Sequence, residues 1–210
     1  MITQLLFDLD NTLYSARYRL EDNVSRRISD YLVIALGINR DEVEKVRKEI
    51  YTNYGSTVEW LIAEKNFSDV ESYFKAICPE DEAGSLPADP ALNDFLSSIP
   101  LPKAILTNSH REHADRILAK LGIAGHFPHI FDISFNDFKG KPRPGSYLRA
   151  LEVLNAEPGA TLFIDDYPGF VEGFKAIGGK ALLLDEFGVH TSSCLERIGN
   201  IREIEKYFYL

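Results

Sequence analysis

Ile2-Thr3-Gln4-Leu5-Leu6-Phe7-Asp8-Leu9-Asp10-Asn11-Thr12-Leu13 is the stretch whose reading decides the fold. The unbroken apolar run Leu5-Leu6-Phe7 predicts a strand covered on both faces, as in a parallel sheet. Two carboxylates, Asp8 and Asp10, follow at the strand's C-terminal end, where open α/β sheets place their ligand crevice. Two acids so close are costly to hold together unless a cation or a shared proton relieves them. Taken alone, an exposed acidic turn explains the pair as well as a site does. The rest of the chain must supply partners for it.

Outward from this stretch, 210 residues suffice for one large domain, or for one domain carrying an insertion, with a real core. Mean hydropathy of -0.16 is ordinary for a globular chain. A net charge of -9 argues against a nucleic-acid polymer as partner, because such partners need a basic stripe. A small anion stays open, since one local cation offsets the field. Cys78 and Cys194 are too few for a disulfide framework and read as free thiols. No HxxxH or CxxC spacing suggests zinc. No apolar run approaches the roughly 18 residues of a membrane span. The N-terminus lacks a basic segment followed by a long apolar one, so cytoplasm is the expected compartment.

Residues 15–86 read as all-helical. Leu20, Val24, Ile28, Leu32 and Leu36 form one stripe closed by Gly37, and Val43, Val46, Ile50 and Tyr54 form a second ended by Gly55. Thr57 to Glu64 and Val70 to Ile77 give two more helices, and Pro79 to Pro87 reads as an exit linker. From residue 88 helices and strands alternate. Asp89 caps a helix with Pro90 in its first turn, and Lys103 to Leu106 is a strand. Arg111 to Leu121 is a helix stopped by Gly122, and Ile130 to Ile133 a strand. Tyr147 to Leu154 is helical, Thr161 to Ile164 a strand, Phe170 to Ile177 a helix and Ala181 to Leu184 a strand. A helix through Ile201, Ile204 and Phe208 closes the chain. Repeated βα units predict a doubly wound parallel α/β sheet. The expected organisation is a core of residues 1–14 and 87–210, with residues 15–86 inserted as a helical lid over the strand ends.

Three further strand ends offer polar groups: Thr107-Asn108, the loop lysine Lys141, and Asp165-Asp166. A doubly wound sheet brings these ends to one edge. Each has a bland reading, as a helix cap, a solvated lysine or an exposed turn, but their coincidence in this order points to phosphoryl transfer. A carboxylate can attack phosphorus and carry the phosphoryl group, provided that a cation shields the charge. Asp8 and Asp166 suit magnesium, which takes oxygen ligands. Thr107, Asn108 and Lys141 suit the equatorial phosphate oxygens.

These residues resemble the haloacid dehalogenase superfamily of phosphohydrolases. The four matching motifs are Phe7-Asp8-Leu9-Asp10-Asn11-Thr12, Leu106-Thr107-Asn108, Lys141-Pro142 and Ile164-Asp165-Asp166. The resemblance implies a Rossmann-like core with a helical cap after the first strand. It makes Asp8 the nucleophile and a magnesium ligand. Asp10 would protonate the leaving oxygen and then activate water, while its backbone carbonyl binds the metal. Asp10 would then start protonated, unlike the ionised Asp8. Thr107 and Lys141 would hold phosphate, Lys141 would restrain Asp8, and Asp166 with Asp165 would complete the metal site. Tyr14, the segment Tyr54-Gly55-Ser56-Thr57, Ile105-Leu106-Thr107-Asn108 and Phe163-Ile164-Asp165-Asp166 are similar to the pyrimidine 5′-nucleotidase-like group. The chain departs from related phosphatases at Phe170, where they often carry Asn or Asp. Arg143 reads as a solvated arginine in preference to a second phosphate contact.

The resulting expectation is a magnesium-dependent phosphomonoesterase acting on a small phosphorylated metabolite, with a pyrimidine nucleoside 5′-monophosphate as first guess. Trp60, Tyr51 and Tyr54 could stack on a base, although their helical spacing favours packing between helices. A phosphosugar mutase uses the same core and is the alternative within the family. Dehalogenases lack the second acid and the metal-binding pair. A phosphonate hydrolase would need a lysine in the lid, where Lys45, Lys48, Lys65 and Lys75 read as solvated. From another class, a non-catalytic phosphate-binding module would be expected to have lost Asp8 or Asp10.

Overall fold

The computed structural model describes residues 1–208, with all side chains among them except those of Tyr51 and Thr52. The predicted α/β class holds. Six strands, β1 (Gln4–Phe7), β2 (Lys103–Leu106), β3 (His129–Phe131), β4 (Thr161–Asp165), β5 (Lys180–Leu184) and β6 (Arg197–Ile198), form one sheet in the order β3-β2-β1-β4-β5-β6. Every pairing is parallel. The chain builds outward from β1 to β2 and β3, then returns to β1's other side with β4. The winding therefore reverses between β1 and β4, and a crevice opens at the C-terminal ends of those two strands. Register sets Phe7 beside Ile164, so Asp8 and Asp165 leave the sheet as neighbours.

Strand side chains alternate between two layers, which explains the unbroken apolar runs. Leu5, Phe7, Ile105, Ile164 and Leu182 point to the layer holding helices α5 (Pro90–Ser98) and α6 (Arg111–Leu121). Leu6, Leu106, Phe163 and Leu183 point to the opposite layer, with α7 (Pro144–Leu154) and α8 (Pro168–Ala176). Between β1 and α5 lie α1 (Leu20–Leu36), α2 (Arg40–Asn53), α3 (Thr57–Lys65) and α4 (Val70–Ile77). These four pack on a cluster of their own, built on Leu32, Val43, Ile50, Leu61 and Tyr73, which Ile133 joins from the β3–α7 loop.

Helix ends follow the short-range signals. Gly37 and Gly122 close α1 and α6 with left-handed φ of 64° and 77°, a conformation that glycine adopts without steric cost. Asp89 accepts from Leu92 N to cap α5, and Asn155 ends α7. Several boundaries differ from the sequence reading, α7 among them, which begins at Pro144. β3 is His129–Phe131, because Ile133 N turns away from the ladder to donate to Ser109 O. α8 begins at Pro168, whose missing N–H costs nothing in a first turn. The tail is a two-residue strand, β6, followed by a 3-10 helix over Ile201–Tyr207 where an α-helix was expected. Cys78 is buried and Cys194 exposed, both as free thiols. Among the described residues no helix is long and apolar enough to cross a membrane.

Candidate active site

β1 delivers Asp8 to the sheet edge, where its backbone N–H still bonds to Ile164 O, so the nucleophile candidate sits on the ladder itself. Its side chain is 9% exposed. Lys141 Nζ donates to Asp8 Oδ1 at 2.6 Å and to Asp165 Oδ2 at 2.6 Å, and Thr12 Oγ1 donates to Asp8 Oδ2 at 3.2 Å. Lys141 is fully buried. Burial alone would lower its pKa, but the charges of Asp165 and Asp8 outweigh that and raise it, keeping the ammonium charged. Its position is fixed through the backbone: Lys141 N donates to Asn108 Oδ1, and Asn108 Nδ2 donates to Lys141 O. The Asn108 amide, expected on phosphate, thus holds the lysine's main chain through Oδ1 and one Nδ2 hydrogen. Two rings complete the cradle, Phe170 at 4.8 Å and Phe163 at 5.3 Å from the ammonium. Phe170 offers the face of an aromatic ring to a buried cation.

Asp165 is fully buried; its Oδ2 accepts from Lys141 Nζ and its Oδ1 from Tyr167 N. Asp166 is partly exposed, and no hydrogen bond to another described residue engages its carboxylate. Oxygens of Asp8, Asp165 and Asp166 lie within 4.8 Å of one another. Burial raises Asp8. Burial, then Asp8, pushes Asp166 up to about 9, and Asp165 rises to about 7 despite Lys141. Three carboxylates face one ammonium, so full ionisation requires a second cation, and an all-oxygen donor set fits a hard divalent ion such as magnesium. The residues present therefore fit that metal.

Asp10 occupies a different environment. Tyr14 Oη donates to Oδ1 at 2.5 Å, His113 Nε2 lies 2.7 Å from the same oxygen, and Ser109 Oγ donates to Oδ2 at 2.6 Å. Burial alone would raise its pKa, but the His113 charge and these donors together hold it well below the usual carboxylate range. His113 in turn is raised far above an ordinary histidine: burial opposes the charge, and Asp10 outweighs burial. The His113 contact thus favours the ionised form of Asp10, whereas the sequence reading has Asp10 start protonated. His113 sits in the first turn of α6, whose N-terminus Asp132 caps by accepting from Arg111 N. This leaves the Thr107 and Ser109 hydroxyls free of the capping role the sequence also allowed. Thr107 Oγ1 accepts from Ser109 N, which leaves its own hydrogen to donate.

Sequence reasoning missed other members. Asn11, in a left-handed turn, donates to Glu21 in the first turn of α1. Burial, then Asp10 and Asp8, pushes Glu21 up to about 7. Arg143 is half-exposed, as the solvated reading allowed, but it also pairs with buried Glu59 of α3, whose Oε2 accepts from Gly55 N at 2.9 Å. Trp60 is buried in the four-helix cluster and offers no stacking face. Tyr54 donates to Glu64 at 2.5 Å, and the Tyr51 side chain lies outside the described residues.

Comparison with known proteins gives the family and the fold. The pattern of the haloacid dehalogenase-like hydrolases matches residues 2–178. The chain is 28% identical over 192 residues to phosphate metabolism protein 8 of Saccharomyces cerevisiae, covering 82% of this chain and 58% of the yeast protein. It thus spans less than two thirds of that relative's length. It is 25% identical over 183 residues to a phosphoglycolate phosphatase of Aquifex aeolicus, covering 85% of this chain and 83% of that protein. In fold it is similar to a phosphatase from Thermococcus onnurineus, with a TM-score of 0.64 and 21% identity over 98% of this chain and 97% of that one.

Proposed function

The chain belongs to the haloacid dehalogenase-like hydrolase family, and from that premise we propose that it is a magnesium-dependent phosphomonoesterase acting through an aspartyl phosphate on Asp8. The observation that carries this reading is the pairing of two acids in opposite settings: Asp8 against Lys141 and the Asp165–Asp166 pair, and Asp10 inside its ring of donors. A site that only held a phosphate would have no use for the second arrangement.

In this reading Asp8 Oδ2 attacks phosphorus, the bond to the leaving oxygen breaks, and Asp10 supplies that oxygen's proton. Asp10 then takes a proton from water as the water attacks the acyl phosphate, releasing inorganic phosphate and restoring Asp8. Asp10 gains its proton when an anionic phosphate arrives beside it, since a nearby like charge favours the neutral acid. Lys141, the Thr107 hydroxyl and the Asn108 backbone N–H bind the phosphate oxygens and fix the line of attack. Asp8, Asp166, the Asp10 backbone carbonyl and Asp165, directly or through water, would hold magnesium, which supplies charge neutralisation at the phosphate.

Residues 15–86 serve as the cap in this proposal, with 1–14 and 87–210 as the core. The name of the Aquifex relative supports a small phosphorylated metabolite as substrate, and the sequence resemblance makes a pyrimidine nucleoside 5′-monophosphate the first to try. The test is phosphate release from nucleotides, sugar phosphates and phosphoglycolate with magnesium. Asp8→Asn is expected to lose at least about 10³-fold. Native-rate release by that variant would sink the mechanism. Isomerisation of a hexose 1-phosphate in place of hydrolysis would favour the mutase.

A further inference from the structure

Beyond Asp10, the donor ring continues into a buried chain. His113, 2% exposed, touches carboxylates at both ring nitrogens: Nε2 is 2.7 Å from Asp10 Oδ1, and Nδ1 is 2.8 Å from Glu82 Oε1. The second contact is close enough for an ion pair but is not aligned as a hydrogen bond, and Glu82 Oε2 is likewise buried without a hydrogen-bond partner among the described residues. Glu82 does not float. Arg116, one turn beyond His113 on α6, donates to Glu82 Oε1 at 2.7 Å and to Cys78 O at 2.8 Å. Cys78 and Glu82 both lie on the segment leading from α4 back to the sheet. One face of α6 thus grips that segment and the acid–base carboxylate together.

The arrangement also distinguishes the two oxygens of Asp10. Oδ1 receives Tyr14 and His113, which occupy both of its lone pairs, whereas Oδ2 receives only Ser109. The lone pair left for a travelling proton is therefore on Oδ2. A tilt of the carboxylate plane about Cβ–Cγ would break the contact to His113, and that contact opposes it. Cys78, Glu82 and His113 also lie close enough together to suggest a second metal site. The Arg116 guanidinium on Glu82 already supplies the positive charge there and argues against it.

We propose that His113 is a positioning residue for the reaction: it locks Asp10 with Oδ2 toward the leaving oxygen, and Glu82 anchors it to the segment following α4. The inference rests on the phosphomonoesterase reading. It predicts a dependence on the leaving group, because an alkoxide needs the Asp10 proton and a nitrophenolate does not.

The experiment compares first-turnover rates, with magnesium, on p-nitrophenyl phosphate and on uridine 5′-monophosphate, or on phosphoglycolate where the wild type turns that over faster. His113→Leu is expected to lose about 100-fold on the alkyl ester while its nitrophenolate burst stays within about threefold of wild type. His113→Gln, whose amide nitrogen can reach Asp10, is expected to recover about tenfold of that loss. Glu82→Gln, which keeps the shape of the anchor, shows the same split on a smaller scale and serves if His113→Leu fails to fold. Equal losses on both esters, or no loss on either, would overturn the role of His113 and leave the phosphatase standing. A wild type inert on every ester would remove both.

Discussion

At the scale of single residues, Lys141 is where the site is most exposed to damage. A buried ammonium survives only because two carboxylates, two rings and the Asn108 clamp all agree on its place. Gly140 is part of that agreement, since a Cβ there would collide with the Asn108 side chain and sit 2.7 Å from Ile133 Cδ1. Gly140→Ala should therefore displace Asn108, cost about 2 kcal/mol through the two lost hydrogen bonds, and lower kcat/KM with it. A variant with wild-type kcat/KM and denaturation midpoint would contradict the clamp. Phe170→Leu removes one ring from the ammonium and should cost about 1 kcal/mol, or about 3 °C in Tm. An unchanged Tm would show that Phe163 suffices. Asp8, Asp10, Thr107, Asp165 and Asp166 were legible because each ends a strand or opens the following loop, and Lys141 because it lies in the loop between β3 and α7; the topology does the gathering. Their partners were not. His113, Glu82, Phe170 and Glu59 meet the site through helix rotation and loop path, which a single chain of letters does not record.

Between elements, the contact that most changes the sequence picture is Glu59 to Arg143. It ties α3 to the loop that carries Lys141, and Gly55, next to α3, packs so closely that a Cβ would lie 3.2 Å from Lys141 O. Arg143 is 42% exposed on its side chain and Glu59 8%, so solvent screens the pair from one side only. Arg143→Ala should cost about 1 kcal/mol and loosen α3 against the loop, raising KM more than it lowers kcat. A fall in kcat with KM unchanged would instead return Arg143 to the phosphate. Helix boundaries were readable because caps are local: Gly37, Asp89 with Pro90, Gly122 and Asn155 each act within a turn. β6 and the 3-10 tail were not, since a two-residue strand exists only because β5 is there to pair with it.

For the whole molecule, the acid cluster makes stability a function of both pH and magnesium. Asp165 at about 7 and Asp166 at about 9 lie above the ordinary carboxylate value near 4. Between those limits the folded chain holds protons that the unfolded chain has released, so stability falls as pH rises from about 4 to about 9. A cation relieves that penalty where it is largest. Magnesium at about 100 times its Kd should add about 2.7 kcal/mol, and the gain in Tm should be greater near pH 8.5 than near pH 6. Equal gains at both would exclude this cluster as the binding place. Asp185 has the opposite sign. Burial would raise it, but Val189 N, Arg197 and His190 N hold it low. Its contribution is present above the unfolded carboxylate value and disappears as pH falls through its folded one.

The sheet itself tapers. Its central strands β1, β2, β4 and β5 run four or five residues, whereas the borders β3 and β6 have three and two. A border strand is a row of unpaired N–H and C=O groups on which another chain can grow, and its danger rises with its length. Two or three residues give a newcomer almost nothing to copy. The most hydrophobic strands are enclosed on both sides, and the rows left open are too short to template fibrillar growth. The same order of strands that opens the crevice for chemistry thus also keeps crowded copies of the protein from knitting together edge to edge.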